Sequence, residues 1–153
     1  MTRMVDILLV EDNAEDAELT LRALRKHDVA KTFHVARDGE EALDYLFSAA
    51  DAGERSLAGM RLILLDLKLP KVDGLEVLEK CKSDPRTKHI PVVVLSSSRE
   101  ERDLSHSYRL GVNSYVVKPV DFPQFTDTVR QVGSYWMLLN QLPAGSSEPS
   151  RTP

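Results

Sequence analysis

Three runs in the chain are apolar at every position: ILLV at 7–10, LILL at 62–65 and VVVL at 92–95. A strand with one wet face alternates apolar and polar side chains. A strand that is apolar throughout is covered on both faces, as in a parallel sheet held between two layers of helices. Helical patterns follow each run and alternate with strand-like segments five times. "AEDAELTLRALRKH" follows the first run and puts Ala17, Leu21 and Leu24 on one helical face. Asn13 is placed to cap that helix, with Asp16 three residues on. Later come "TFHVA" with "GEEALDYLFSAA", then "GLEVLEKCK" and "REERDLSHSYRLG", where Gly111 reads as a helix end. "SYVV" and "FPQFTDTVRQVGSYWMLLN" close the series. The pattern predicts a doubly wound (βα)₅ α/β domain, a three-layer sandwich over residues 1–142.

A chain of 153 residues suits one domain with a full core. Its net charge of −4 weighs against direct nucleic-acid binding, which calls for a basic patch or stripe. No apolar run nears the roughly 20 residues of a membrane span. The stretch "MTRMVDILLVED" is too short and too quickly acidic for a secretory signal. A cytoplasmic protein without a membrane partner is expected. The single cysteine, Cys81, sits in a helical pattern and reads as an inert buried thiol. Residues 48–60, "SAADAGERSLAGM", read as an extended loop after the second helix. Residues 143–153, "PAGSSEPSRTP", read as a disordered tail.

Ligands of open parallel α/β sheets sit beyond the carboxyl ends of the strands. The first strand ends in Glu11 and Asp12, the third in Asp66, the fourth in Ser96, Ser97 and Ser98, and the fifth in Lys118. Three ionised carboxylates at one edge repel one another and call for a cation. An all-oxygen set suits Mg²⁺, and Mn²⁺ can take its place. A lysine beside them can meet a phosphoryl oxygen or a carboxylate. Phosphoryl transfer needs this equipment: a nucleophile, a metal, and a cation for the equatorial oxygens. A carboxylate can itself be the nucleophile, and the Ser96 hydroxyl can donate to the new phosphoryl group. Taken singly, each residue has a plain reading. "ED" starts many loops, strand-end aspartates are common, serines cap helices, and a lysine before proline is usually solvated. The joint pattern carries the argument.

"ILLVEDN", "LILLDLKLPKVDGLEVL", "IPVVVLSSS" and "GVNSYVVKP" together resemble the receiver domain of two-component response regulators, over about residues 5–139. The resemblance implies a flavodoxin-like five-stranded sheet ordered 2-1-3-4-5. It implies a phosphoprotein of phosphorelay signal transduction, not an enzyme, that takes a phosphoryl group from a sensor histidine kinase on Asp66. Asp12 would bind Mg²⁺ directly, with Glu11 nearby or acting through water, Asp66 also ligating, and the backbone carbonyl of Lys68 completing the protein set. Lys118 would contact the phosphoryl group, and the Lys118–Pro119 peptide would be cis. Ser96 and Tyr115 match the pair that couples phosphorylation to the surface. The plain reading of Tyr115 is a half-buried strand tyrosine. Lys68 and Ser98 stand where side chains tune autodephosphorylation. Ser96 departs from the more usual Thr and Ser97 from the more usual Ala, both keeping the needed chemistry or size.

No output domain is expected after the fifth helix, and the expected readout is contact with a downstream phosphorelay or effector protein. Phe122, Phe125, Val129, Val132, Trp136 and Leu139 step by threes and fours along that helix. Its aromatic end reads as exposed apolar surface, with Phe122, Phe125, Tyr135, Trp136 and Leu139 as a partner or homodimer face. A helix end folded back on its own domain is the plainer alternative. The loop after the second helix, "LDLKLP" and the "YW" end are most similar to small single-domain regulators paired with bacterial phytochrome kinases. Two other classes fit less well. A haloacid-dehalogenase-type phosphatase wants a second Asp two residues after Asp66, where Lys68 stands. A nucleotide or flavin binder wants a phosphate-cradling loop after the first strand, where "EDNAED" stands. A degenerate receiver acting only as an interaction module is the remaining alternative. The intact acidic set with Ser96 and Lys118 argues against it.

Overall fold

The computed structural model describes residues 5–26, 32–53, 57, 59–119 and 121–142. These form five parallel strands and five α-helices in strict alternation. They are β1 (Ile7–Val10), α1 (Ala14–Lys26), β2 (Phe33–Ala36), α2 (Gly39–Asp51), β3 (Leu62–Leu65), α3 (Gly74–Ser83), β4 (Val92–Ser96), α4 (Glu101–Arg109), β5 (Ser114–Val117) and α5 (Phe122–Ser134). The sheet order is β2-β1-β3-β4-β5. The expected doubly wound architecture and strand order are therefore what the chain adopts.

The three apolar runs are the three central strands, and every residue of ILLV and LILL is buried. Side chains of a strand alternate between faces, and here both faces are covered. Leu8, Val10, Ile63, Leu65, Val92 and Val94 pack with Leu46 of α2 and Val77, Leu78 and Cys81 of α3. Ile7, Leu9, Leu62, Leu64, Val93 and Leu95 pack with Leu24 of α1 and Phe125 and Val129 of α5. Each such side chain contributes about 1.5–3 kcal/mol on burial, so a polar residue within a run would be costly. Polar residues resume only where the strands end, and that places the site. By contrast α4 fully buries only Ser107, so it is the helix least tied to the core.

Local chemistry sets the helix boundaries. Asp38 and Asp121 accept the backbone N–H groups of Glu41 and Gln124 and so cap α2 and α5. Gly111 ends α4 at φ +100, where a β-carbon would be strained. Gly39 begins α2 directly against the backbone carbonyl of Val72, and Gly74 begins α3 against the Asp66 carbonyl. These two glycines let the loop after β3 close over the strand ends.

Two expectations are corrected. Residues 48–51 are not loop but the last turn of α2, with Ala49 and Ala50 buried. Small alanines favour a helix and fit against the sheet. Beyond α2, Leu57 and Met60 are also buried, so the connection is anchored to the core. The stripe along the last helix is the second correction. Phe125, Val129, Gly133 and Met137 form the buried line. Their spacing is four residues throughout, and residues 135–139 form a π-helical turn. That wider turn rotates Met137 inward and turns Leu138 and Leu139 out, at 63% and 68% exposed. Phe125 is thus core, not partner surface, and Trp136 is half-buried against the same core. Residues 143–153 lie outside the described residues.

Candidate functional site

The carboxyl ends of β1, β3, β4 and β5 bring their polar residues to one edge. Glu11 is 4% exposed and Asp66 9% exposed, while Asp12 stands in solvent. Carboxylate oxygens of Glu11, Asp12 and Asp66 all lie within 4.8 Å of one another. Lys118 reaches into this group from β5. Its Nζ donates to Glu11 Oε1 at 2.7 Å, Asp16 Oδ2 at 2.9 Å and Asp66 Oδ2 at 3.4 Å. One ammonium thus faces three carboxylates, with Asp12 beside them.

That imbalance shows in the proton affinities. Burial pushes the Glu11 carboxyl up to about 7; the Lys118 hydrogen bond works against the rise and the Asp66 charge adds to it. Burial by itself lowers the proton affinity of Lys118. The Glu11 hydrogen bond and the charges of Asp66 and Glu11 more than offset it and hold the ammonium above its ordinary range. An excess of buried negative charge made only of oxygen donors is what a hard divalent cation offsets. The residues present fit such an ion. Both Glu11 oxygens are already engaged, Oε1 by Lys118 and Oε2 by the Asn13 N–H at 3.1 Å. Asp12 and Asp66 are the carboxylates left to ligate directly.

Asp66 itself is held loosely. Its Oδ1 accepts the Lys68 N–H at 3.4 Å and its Oδ2 the Lys118 ammonium at 3.4 Å. Both are beyond the usual 2.7–3.2 Å range, so neither oxygen is strongly committed. Outside it opens a cleft of about 450 Å³, lined among others by Asp12, Lys68, Asp73, Arg102 and Asp103. Lys68 is exposed at that rim, with its side chain in solvent.

Ser96 is fully buried at the end of β4, and its Oγ accepts the Ser98 N–H at 3.2 Å. Ser98 joins three parts of the region. Its Oγ donates to Asp103 Oδ2 of α4 at 2.5 Å and accepts the Glu100 N–H at 3.3 Å. Its carbonyl accepts the Tyr115 hydroxyl at 3.0 Å. Tyr115 is half-buried and packs on the core beside α4, and burial raises its phenol pKa. The predicted pair Ser96 and Tyr115 is therefore linked through Ser98, and the Tyr115 hydroxyl also lies close to Ser96 itself.

The sequence reading is corrected at one peptide. No peptide bond among the described residues is cis, so Lys118–Pro119 is trans, the intrinsically favoured isomer for X–Pro. Two residues were missed. The sequence marks Asp16 only as a capping partner; its N–H does meet Asn13 Oδ1 at 2.9 Å, but its carboxylate turns to Lys118. A carboxylate four residues on from Asp12, at a helix start above the strand ends, was the available signal. Leu138 was missed because its exposure depends on the π-helical turn.

The fold and the edge together define a phosphoacceptor-type α/β signalling module. Residues 7–130 match the response regulator receiver domain, and the chain belongs to that family. The probable methanogenesis regulatory protein FilR2 of Methanothrix harundinacea is 45% identical over 90% of this chain and 86% of its own length. The response regulator Rcp1 of Synechocystis is 38% identical, covering 90% of this chain and 92% of its own. The crystal structure of its Mn²⁺-bound form matches with a TM-score of 0.81 over 92% of this chain and 99% of that one. The phosphorylated cyanobacterial phytochrome response regulator RcpA is 43% identical. It matches with a TM-score of 0.81 over 93% of this chain and 100% of its own. Among the described residues no helix is long and apolar enough to cross a membrane.

Proposed function

We propose that Asp66 is the phosphoacceptor and that the donor is the phosphohistidine of a sensor histidine kinase. The observation that carries this is the state of Asp66: nearly buried, weakly bonded on both oxygens, and adjacent to a held ammonium. One Asp66 oxygen attacks phosphorus, the P–N bond to the donor imidazole breaks, and the imidazole leaves with its electron pair and takes up a proton. Lys118 turns one N–H to an equatorial phosphoryl oxygen, and Ser96 Oγ supplies another donor. A divalent ion, Mg²⁺ in the cell or Mn²⁺ in its place, would be held by Asp12, Asp66 and the Lys68 carbonyl, with Glu11 acting through water. When bound it neutralises charge on the transferring group. The protein is then a substrate that takes part in its own phosphorylation, without an enzymatic product of its own.

Ser96 Oγ accepts the Ser98 N–H with a lone pair and keeps its own O–H to donate, so a move of that Oγ toward the new oxyanion stretches the bond to Ser98. Tyr115 and Asp103 hang on Ser98, so the change reaches β5 and the weakly anchored α4. Ser98 is occupied by α4, which leaves Lys68 at the rim as the side chain that meets an attacking water. Relatives of the RcpA kind support a phytochrome kinase as the cytoplasmic partner. Exposed Phe122, Tyr135, Leu138 and Leu139 support a homodimer or an effector contact.

Incubation with Mg²⁺ and a small acyl phosphate or phosphoramidate, followed by intact mass, tests the acceptor. One phosphoryl mass is expected, acid-stable and base-labile, and absent in Asp66→Asn. An unmodified wild-type chain, with a kinase also tried, counts against the reading. Label passing from an autophosphorylated phytochrome kinase supports that pairing, and label retained on the kinase opposes it. Sedimentation at tens of micromolar tests the dimer, which Leu138→Asp should split. A wild-type monomer with and without phosphodonor removes it.

A further inference from the structure

We propose that Asp16 is the positioning residue for Lys118, holding its ammonium off the nucleophile and ready for the phosphoryl group. This rests on the phosphoacceptor reading of Asp66. An ammonium has three N–H donors, and Lys118 spends them on three carboxylates. The two short bonds go to Glu11 and Asp16, and the long one goes to Asp66. The side chain of Lys118 is only 11% exposed, so water is a poor substitute for a lost partner. Asp16 stands on the first turn of α1. Its backbone is fixed there by the Asn13 cap.

The chemistry of the reaction gives this arrangement a purpose. If the ammonium moved fully onto Asp66, it would neutralise the nucleophile by a tight charge-assisted bond. The short bond to Asp16 competes with Asp66 for the ammonium and keeps the Asp66 bond long. When the phosphoryl group arrives, the ammonium keeps Glu11 and Asp16 and turns only its weakest bond to the incoming oxygen. Little reorganisation is then needed at the moment of transfer. Without Asp16 the freed N–H is left to strengthen its long bond to the Asp66 carboxylate or to turn to Asp12 beside it. Asp16 touches neither phosphorus nor the donor, and it acts through Lys118.

The test uses the full chain, Mg²⁺ and an acyl phosphate, with the phosphorylation rate read by intact mass. Asp16→Asn keeps the size of the side chain and leaves the Asn13 cap untouched, since that bond uses the backbone. The expected rate is about tenfold below wild type, within the loss of up to about 100-fold that a misplacement of about 1 Å can cause. Asp16→Glu, which restores a carboxylate, should recover part of it. In a Lys118→Met background the same Asp16→Asn change should cost nothing further, because its effect passes through the ammonium. A merely structural role would lower the rate equally in both backgrounds. An Asp16→Asn rate within twofold of wild type, or an equal loss without Lys118, overturns the proposal while leaving Asp66 as acceptor. A wild-type chain that takes up no phosphoryl group overturns both.

Discussion

Glu11 makes the metal-free protein less stable as the solution becomes more alkaline. Its carboxyl sits near 7 in the fold, chiefly through burial, against 4.5 in the unfolded chain. A carboxyl with the higher folded value binds its proton more tightly when folded. Stability is therefore greatest below about 4.5 and falls as pH rises to about 7, after which the loss is complete. The gap between about 7 and 4.5 corresponds, at roughly 1.4 kcal/mol per pH unit, to about 3 kcal/mol. For a domain of this size 1 kcal/mol moves Tm by roughly 2–4 °C, so this one group lowers the midpoint by about 6–12 °C. Other groups titrate over the same range, so the decisive quantity is a difference between two proteins. Glu11→Gln keeps an oxygen for the Lys118 ammonium and cannot ionise. Thermal unfolding in chelator at pH 5 should find the two proteins similar. At pH 8 the variant should be the more stable by about 3 kcal/mol. Mg²⁺ added at pH 8 should raise the wild-type midpoint, because the ion binds only the fold. Parallel pH curves for wild type and Glu11→Gln would refute the reasoning, since burial of Glu11 would then cost nothing.

Three further outcomes follow from the same geometry. Lys118→Met leaves buried carboxylates without their cation and should destabilise the metal-free chain by about 3 kcal/mol near neutral pH; urea unfolding measures it, and a loss below 1 kcal/mol counts against the network. Gly39→Ala drives a β-carbon into the backbone carbonyl of Val72, a clash that only a shift of the loop after β3 relieves; about 1–3 kcal/mol of stability should be lost, and an unchanged Tm opposes the close approach. Tyr115→Phe removes the bond to the Ser98 carbonyl at about 1 kcal/mol and should leave the phosphorylation rate near wild type while weakening any phosphorylation-dependent change at α4 by hydrogen exchange. A large fall in the rate itself would place Tyr115 in the chemistry instead.

Which parts of this site were legible follows from how each part is built. A continuous apolar run states that a strand is buried on both faces, and a strand delivers its next residue to a fixed place at the sheet edge. Glu11, Asp12, Asp66, Ser96 and Lys118 all lie at or just past such ends. Their meeting is a consequence of topology, and topology was readable from the alternation of elements. Asp16 is different. It belongs to a helix, and where its carboxylate goes depends on how α1 lies over β1 and β5, which no local pattern states. Its capping role was readable because that bond is local, and the capping role concealed the other one. The C-terminal segment was misread for a related reason. Steps of three and four fit an ordinary α-helix, a pattern that puts Leu139 on the same stripe as Phe125. The actual line of Phe125, Val129, Gly133 and Met137 advances by four and needs the wider turn at residues 135–139. A π-helical turn arises where tertiary packing rewards it, not where propensity asks for it.

The same division explains how one buried charge can act at a distance. The strands that present Asp66 and Ser96 are packed on both faces and have little freedom to move. The parts that do have freedom are side chains and the thinly anchored α4. On the proposed reading, a phosphoryl group at Asp66 is met by exchange of hydrogen bonds, those of Lys118 and Ser96 among them. Lys118 is braced by Glu11 and Asp16, so on the proposed reading it redirects a single N–H. Ser96 is not braced in this way. Taking its Oγ away leaves the Ser98 N–H without an acceptor in a buried place, a cost of about 1–3 kcal/mol. That is enough to re-weight the arrangements of a loop whose other bonds run to Tyr115 and Asp103. On the proposed reading, the signal leaves by Ser98 because the lysine side of the site is held by two short bonds and the serine side by one.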